Sequence, residues 1–246
     1  MASLHRRRMR VVLGIAVVLA MLAPLALWLR DSSLVRVERV TVSGMLGGQA
    51  DEIRRVLEVE ARDMTTLHVR EDALRSAVSQ YPVVRSLRTE SDFPHGLRIV
   101  VNAHEAVAAL RASSGGLMPV AGDGTLLAGS AAGDLPVVGV RTMPAGERLG
   151  RGETLRAVRL LAAAPRALRV RVARVYRGPR GLTATMDGGP KLYFGRAARL
   201  QAKWGAAAQV LAHRTSQGAA YVDLRIPERP VAGGLQPRPK EAQPQL

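Results

Sequence analysis

Cysteine is absent from the 246 residues. That removes disulfide frameworks, thiolate zinc sites, iron–sulfur clusters and cysteine nucleophiles together. Lysine is nearly absent too: only Lys191, Lys203 and Lys240 appear among the 36 basic residues, so a Schiff-base lysine has few places to sit. Two Phe, four Tyr and two Trp leave little for stacking nucleic-acid bases. Acidic residues number 20, which gives a net charge of +16 carried on arginine. Such a surplus would draw anionic headgroups or wall polymers within a Debye length of ~8–10 Å, or simply be solvated. Hydrophobic residues make up 47%, enough to bury a core in one ordinary domain or two small ones.

One stretch lacks charge altogether. His5, Arg6, Arg7, Arg8 and Arg10 precede an uncharged run from Val11 through Leu19 to Trp28 and Leu29. At ~1.5 Å per residue, a helix of that run measures about 28 Å, close to the ~30 Å hydrocarbon core of a bilayer. Trp28 stands where an interfacial aromatic belongs, and the basic cluster puts residues 1–10 in the cytoplasm. The run ends Leu27-Trp28-Leu29-Arg30, a poor cleavage sequence, so an uncleaved anchor is favoured over a secretory signal. All later residues are then expected outside the cytoplasm, in a plasma-membrane protein that spans once.

Beyond the anchor, residues 34–103 read as a β-α-α-β-β unit. Val35, Val37, Val40 and Val42 alternate as in a half-buried strand, with a change of phase at Glu38-Arg39. Ile53, Val56, Leu57 and Glu60 have helical spacing behind Asp51 and Glu52, and Leu74, Ala77 and Val78 mark a second helix that stops before Pro82. Strands follow near 84–89 and 97–103, the latter with Leu97, Ile99, Val101 and Ala103 on one face. From residue 104 glycines punctuate short apolar stretches. The pattern predicts a helix over 153–164, strands over 168–177, 181–186 and 190–194, and a helix over 196–212. That last helix would carry Ala197, Leu200, Trp204, Ala207 and Leu211 inward, with Arg196, Arg199 and Lys203 on another face. Tyr221–Ile226 reads as a final strand, and the Pro/Gln-rich 236–246 as a disordered tail.

The search for chemistry finds little. Each lysine follows Pro or Ala, so there is no P-loop, and His104-Glu105 is followed by Ala108 where HExxH needs its second histidine. No Gly-x-Ser-x-Gly elbow occurs. The acidic pairs Asp51/Glu52 and Glu71/Asp72 open helices, where the dipole accounts for them. No enzyme, cofactor or metal site is expected, and no nucleic-acid partner.

Several strings in order carry a family resemblance. Tyr81-Pro82-Val83-Val84 precedes Phe93-Pro94-His95-Gly96-Leu97-Arg98-Ile99-Val100-Val101, then Asp123-Gly124, Leu135-Pro136 and Tyr221-Val222-Asp223-Leu224-Arg225. Together they resemble the bacterial cell-division family FtsQ/DivIB. The resemblance implies an α+β chain with a transmembrane helix at 11–29, a POTRA domain at 34–103 and a β-rich domain with two helices at 104–235. It also implies a non-enzymatic scaffold at the division septum. Its partners would be bitopic proteins of the FtsB/FtsL type and, through them, the septal peptidoglycan synthase. The family's main contact lies at the last strand of the β domain, which points to Tyr221, Asp223, Arg225, Ile226, Glu228 and Val231. A terminal strand leaves a row of backbone groups that a partner strand can satisfy, and Pro227 and Pro230 would limit the pairing. A competing expectation is an export or surface-assembly factor that handles translocated polypeptides on a POTRA unit.

Overall fold

In a computed structural model, residues 32–45 and 48–234 are described, together with the helical positions Ala20, Pro24 and Trp28. The expected anchor and the tail therefore lie, with those three exceptions, outside the described residues. Among the described residues no helix is long and apolar enough to cross a membrane. The chain divides into two compact units between Ala103 and His104.

The first unit is a three-stranded sheet with two helices. It comprises β1 (Arg39–Ser43), α1 (Ala50–Arg62), α2 (Glu71–Ala77), β2 (Val84–Asp92) and β3 (Gly96–Ala103), in sheet order β1-β3-β2. The central β3 runs parallel to β1 and antiparallel to β2. Its Leu97, Ile99 and Val101 alternate into the core, where Ile53, Leu57 and Ala61 arrive at i, i+4 and i+8 along α1. Gly44 closes β1 in a left-handed conformation, and a Cβ there would lie 2.2 Å from the Val101 carbonyl oxygen.

Two expectations fail in this unit. Val35 belongs to a 3₁₀ turn (Ser33–Val35) capped by the Ser32 hydroxyl, not to a strand. The strand starts only at Arg39, because Glu38 and Arg39 both donate to the His95 carbonyl. Ala103, the last residue of β3, is exposed where Leu97, Ile99 and Val101 are buried.

The second unit is an eight-stranded mixed sheet with helices on one face. Its elements are β4 (Ala106–Ala112), β5 (Leu117–Ala121), β6 (Val137–Val140), α3 (Glu153–Ala162), α4 (Arg166–Arg169), β7 (Val172–Gly178), β8 (Gly181–Met186), β9 (Lys191–Gly195), α5 (Leu200–Ala212), β10 (Tyr221–Asp223) and β11 (Val231–Gly233). The strand order is β11-β10-β9-β8-β7-β6-β4-β5. Helices carry the chain between the parallel neighbours β6 and β7 and again between β9 and β10, as parallel pairing requires. Trp204 of α5 packs on Phe194 of β9 with ring centres 4.7 Å apart. Its indole N–H donates to the Leu160 carbonyl of α3 at 2.8 Å, so both helices close one core.

Three further expectations are corrected here. The predicted strand 168–177 begins only at Val172. Before it, the Pro165 carbonyl accepts the Leu168 and Arg169 amides and winds a helical turn, which leaves Val170 exposed. The helix expected from 196 starts at Leu200, because Arg199 takes the left-handed conformation, φ 55°. Tyr221–Ile226 is neither a six-residue strand nor the last one: the Asp223 carboxylate accepts the Arg225 amide at 3.0 Å, turns the chain, and ends β10.

Candidate partner-docking edge

β10 is covered on both sides, parallel to β9 and antiparallel to β11. The sheet's terminal strand is therefore β11, which pairs Val231 with Asp223, Ala232 with Val222 and Gly233 with Tyr221. Val222 and Leu224 point into the core with no exposure. By the two-residue alternation of strands, Tyr221 and Asp223 share the outer face. A Cβ at position 233 would come within 2.4 Å of the Tyr221 ring, so a larger residue there would have to displace that ring.

On the outer face Tyr221 and Tyr193 lie with ring centres 5.6 Å apart. The Arg180 guanidinium sits over both, at 5.3 and 4.7 Å, an arrangement that holds cation and rings together. Arg225 folds back onto Asp223 through both carboxylate oxygens, the shorter bond being 2.7 Å. Burial works against the Asp223 anion, but bonding to Arg225 and the charges of Arg225 and Arg180 outweigh it, so the carboxyl titrates below its ordinary range.

The loop from Leu224 to Pro230 carries the other expected contacts. Ile226 and Val231 are exposed at 60% and 56%, which makes them the apolar content of an otherwise polar edge. Glu228 pairs with Arg199, and this bond holds the Glu228 carboxyl below its usual range. The structure thus brings Tyr221, Asp223, Arg225 and Val231 together across β10 and β11, while Ile226 and Glu228 stand on the adjoining loop.

Beside this loop lies a cleft of about 870 Å³ whose walls include Arg156, Arg177, Arg180, Arg196, Arg199 and Arg225 against Glu153 and Glu228. Lys203 closes its floor. Contrary to the expectation that it shares a polar face with Arg196 and Arg199, Lys203 is 4% exposed. Its ammonium donates to the Phe194 and Arg196 carbonyls at 2.6 and 2.9 Å. Burial, with a smaller push from Arg199, lowers its pKa. These bonds pin the bend between β9 and α5 from which Arg199 reaches Glu228.

Arg180, Tyr193 and Lys203 were missing from the residues expected at this edge. A signal existed for Lys203: with Leu200, Trp204 and Ala207 it completes an i, i+3, i+4, i+7 stripe. Elsewhere in this unit, Asp123 accepts the Thr125 amide and hydroxyl at 3.1 Å and Arg148 at 2.8 Å, with His104 3.9 Å away. Among the described residues no three His, Asp or Glu side chains form a metal-binding group.

A three-stranded unit with two helices, joined to a mixed sheet that ends on a short strand, defines a POTRA domain followed by a division-type β domain. The family model for the FtsQ-type POTRA domain matches residues 35–104, and that for the C-terminal part of cell division protein FtsQ/DivIB matches residues 108–225. The chain belongs to the FtsQ/DivIB family of cell division proteins. No curated protein matches it. The second match stops at Arg225, so the loop that follows and β11 lie beyond the matched stretch.

Proposed function

We propose that the protein is a non-enzymatic scaffold of the division machinery that recruits a partner complex by extending its eight-stranded sheet at β11. Val11–Leu29 anchors it in the plasma membrane, with residues 1–10 in the cytoplasm and both folded units outside, at the septum. The partners are bitopic proteins of the FtsB/FtsL type, and through them the scaffold acts on the septal peptidoglycan synthase. The observation that supports this reading is the edge itself. Among the described residues β11 is paired on one side only, with its own Val231 exposed and Ile226 exposed on the loop before it. An incoming strand gains backbone hydrogen bonds from such an edge and pockets for alternate side chains.

Capture of the FtsB/FtsL-type proteins of the same cell tests the proposal. Ile226→Arg and Glu228→Arg should each weaken capture without lowering the thermal unfolding temperature. Wild-type capture by both variants would overturn the assignment of the site. Protease added to wall-stripped intact cells tests the topology, and digestion of the folded units is the expected result.

A further inference from the structure

We propose that one end of the POTRA domain rests on the outer face of the membrane and takes an anionic lipid headgroup between Arg36, Arg62 and Arg70. The inference rests on the anchor at Val11–Leu29 and adds to it a second, folded contact with the bilayer.

Between residues 32 and 103 four large apolar side chains are described as exposed: Leu34, Val59, Leu67 and Phe93. Three of the four stand at the same end of the unit, although they come from distant parts of the sequence. Thr66 ties those parts together. Its amide donates to the Val35 carbonyl at 2.8 Å and its hydroxyl to the Pro94 carbonyl at 2.9 Å. Ser91 in turn donates to the Thr66 carbonyl at 2.8 Å. Leu34, Leu67 and Phe93 are the immediate neighbours of Val35, Thr66 and Pro94, so these hydrogen bonds hold the three at one end. Thr66 itself is 5% exposed, which makes this a built end rather than a frayed one.

Charge is arranged beside the apolar tip. A cleft of about 420 Å³ is lined by Ser32, Arg36, Arg62 and Arg70, with Asp63 its one carboxylate. Among the described residues no ion pair engages Arg36 or Arg62, and Arg70 approaches Glu60 only to 3.9 Å. Guanidinium groups hold phosphate oxygens in a fork geometry, and apolar side chains rimmed by arginine suit the headgroup boundary.

The length of chain identifies the occupant. Only residues 30 and 31 separate the end of the anchor from Ser32, and three residue steps reach about 10 Å when fully extended. The headgroup layer is itself ~5–7 Å deep on each side of the hydrocarbon. Ser32 lines the cleft and Leu34 follows two residues later, so this end cannot leave the headgroup layer by more than a few ångströms. A lipid surface is thus the partner always at hand.

The absence of cysteine makes the test direct. Full-length chain bearing Leu67→Cys or Phe93→Cys carries a nitroxide label in vesicles of phosphatidylcholine, with or without about one-third phosphatidylglycerol. Leu19→Cys in the anchor and Gln80→Cys, at the opposite end of the unit between α2 and β2, serve as references. In anionic vesicles, labels at 67 and 93 should collide with oxygen in preference to a water-soluble nickel chelate, as at 19 and unlike 80. Pure phosphatidylcholine, or Arg36→Glu with Arg62→Glu and Arg70→Glu, should return both labels to water. An unchanged thermal transition shows that the triple variant still folds, and the pure-lipid comparison needs no variant. Labels at 67 and 93 as wet as the one at 80, with 19 still in lipid, would overturn the docking and leave the anchor standing. Equal depth in neutral vesicles would overturn the headgroup site. A wet label at 19 would overturn the anchor and this inference with it.

Discussion

The two edges of the eight-stranded sheet are treated differently. At one edge, β5 is closed by the chain's own loop: Ala121 donates to the Thr125 carbonyl and Leu127 to the Pro119 carbonyl, both at 2.9 Å. Pro119 lacks an amide, and Asp123 locks the loop through Thr125 and Arg148. At the other edge β11 is three residues long, with its Val231 exposed and Ile226 exposed on the loop before it. An uncovered edge is an aggregation hazard that folded proteins usually suppress. Suppression at one end and, among the described residues, its absence at the other are what single out β11 in the proposed function.

Four expected outcomes would break or sharpen this contrast. The largest concerns the support of the open edge. Trp204→Ala should lower stability by about 3–5 kcal/mol in urea unfolding, since a large buried side chain and its bond to Leu160 are lost together. Next, Asp123→Ala should cost about 1–3 kcal/mol through unpaired donors in the closing loop. It should also speed amide exchange in β5 more than in β10, and the reverse order would break the contrast. Lys203→Met should likewise cost about 1–3 kcal/mol, because two carbonyls lose their donor, and weaken partner capture through the bend that carries Arg199.

The smallest effect is electrostatic. Asp223 has a folded pKa below its unfolded value, so its stabilisation is complete above the unfolded pKa of about 3.9 and is lost as pH falls through the lower folded value. Acid unfolding of the wild type and Asp223→Asn should therefore converge below that range and separate above it. Parallel curves would remove Asp223 from the group that holds the edge.

Much of this architecture was legible from residue pattern. The i, i+4 spacing of Ile53 and Leu57 and the alternation of Leu97, Ile99 and Val101 placed α1 and β3, because each pattern is written on one buried face. The glycine turns bounded β8 and β9 for similar reasons. What failed was set by individual hydrogen bonds that leave no periodic pattern. The valines before Arg39 alternate correctly, yet His95 decides where the strand begins. Leu168–Arg171 alternates like a strand, yet the Pro165 carbonyl winds its start into a helical turn. At the candidate edge, the strand at Tyr221 was legible but its length was not, because the Asp223 carboxylate that ends it also resembles an ordinary outward residue. β11 was not legible at all. Three residues behind Pro227 and Pro230 carry too little periodicity to announce a strand.

The short ladder between β10 and β11 makes the terminal strand separable from the unit that bears it. The core residues Val222 and Leu224 precede Ile226, and Val231–Gly233 adds no buried large side chain. Truncation after Ile226 should consequently yield a folded chain, and under the proposed function one that has lost recruitment alone. Under the proposed function such a product would take its place at the septum without recruiting the partners, an inhibitor by substitution rather than a simple loss.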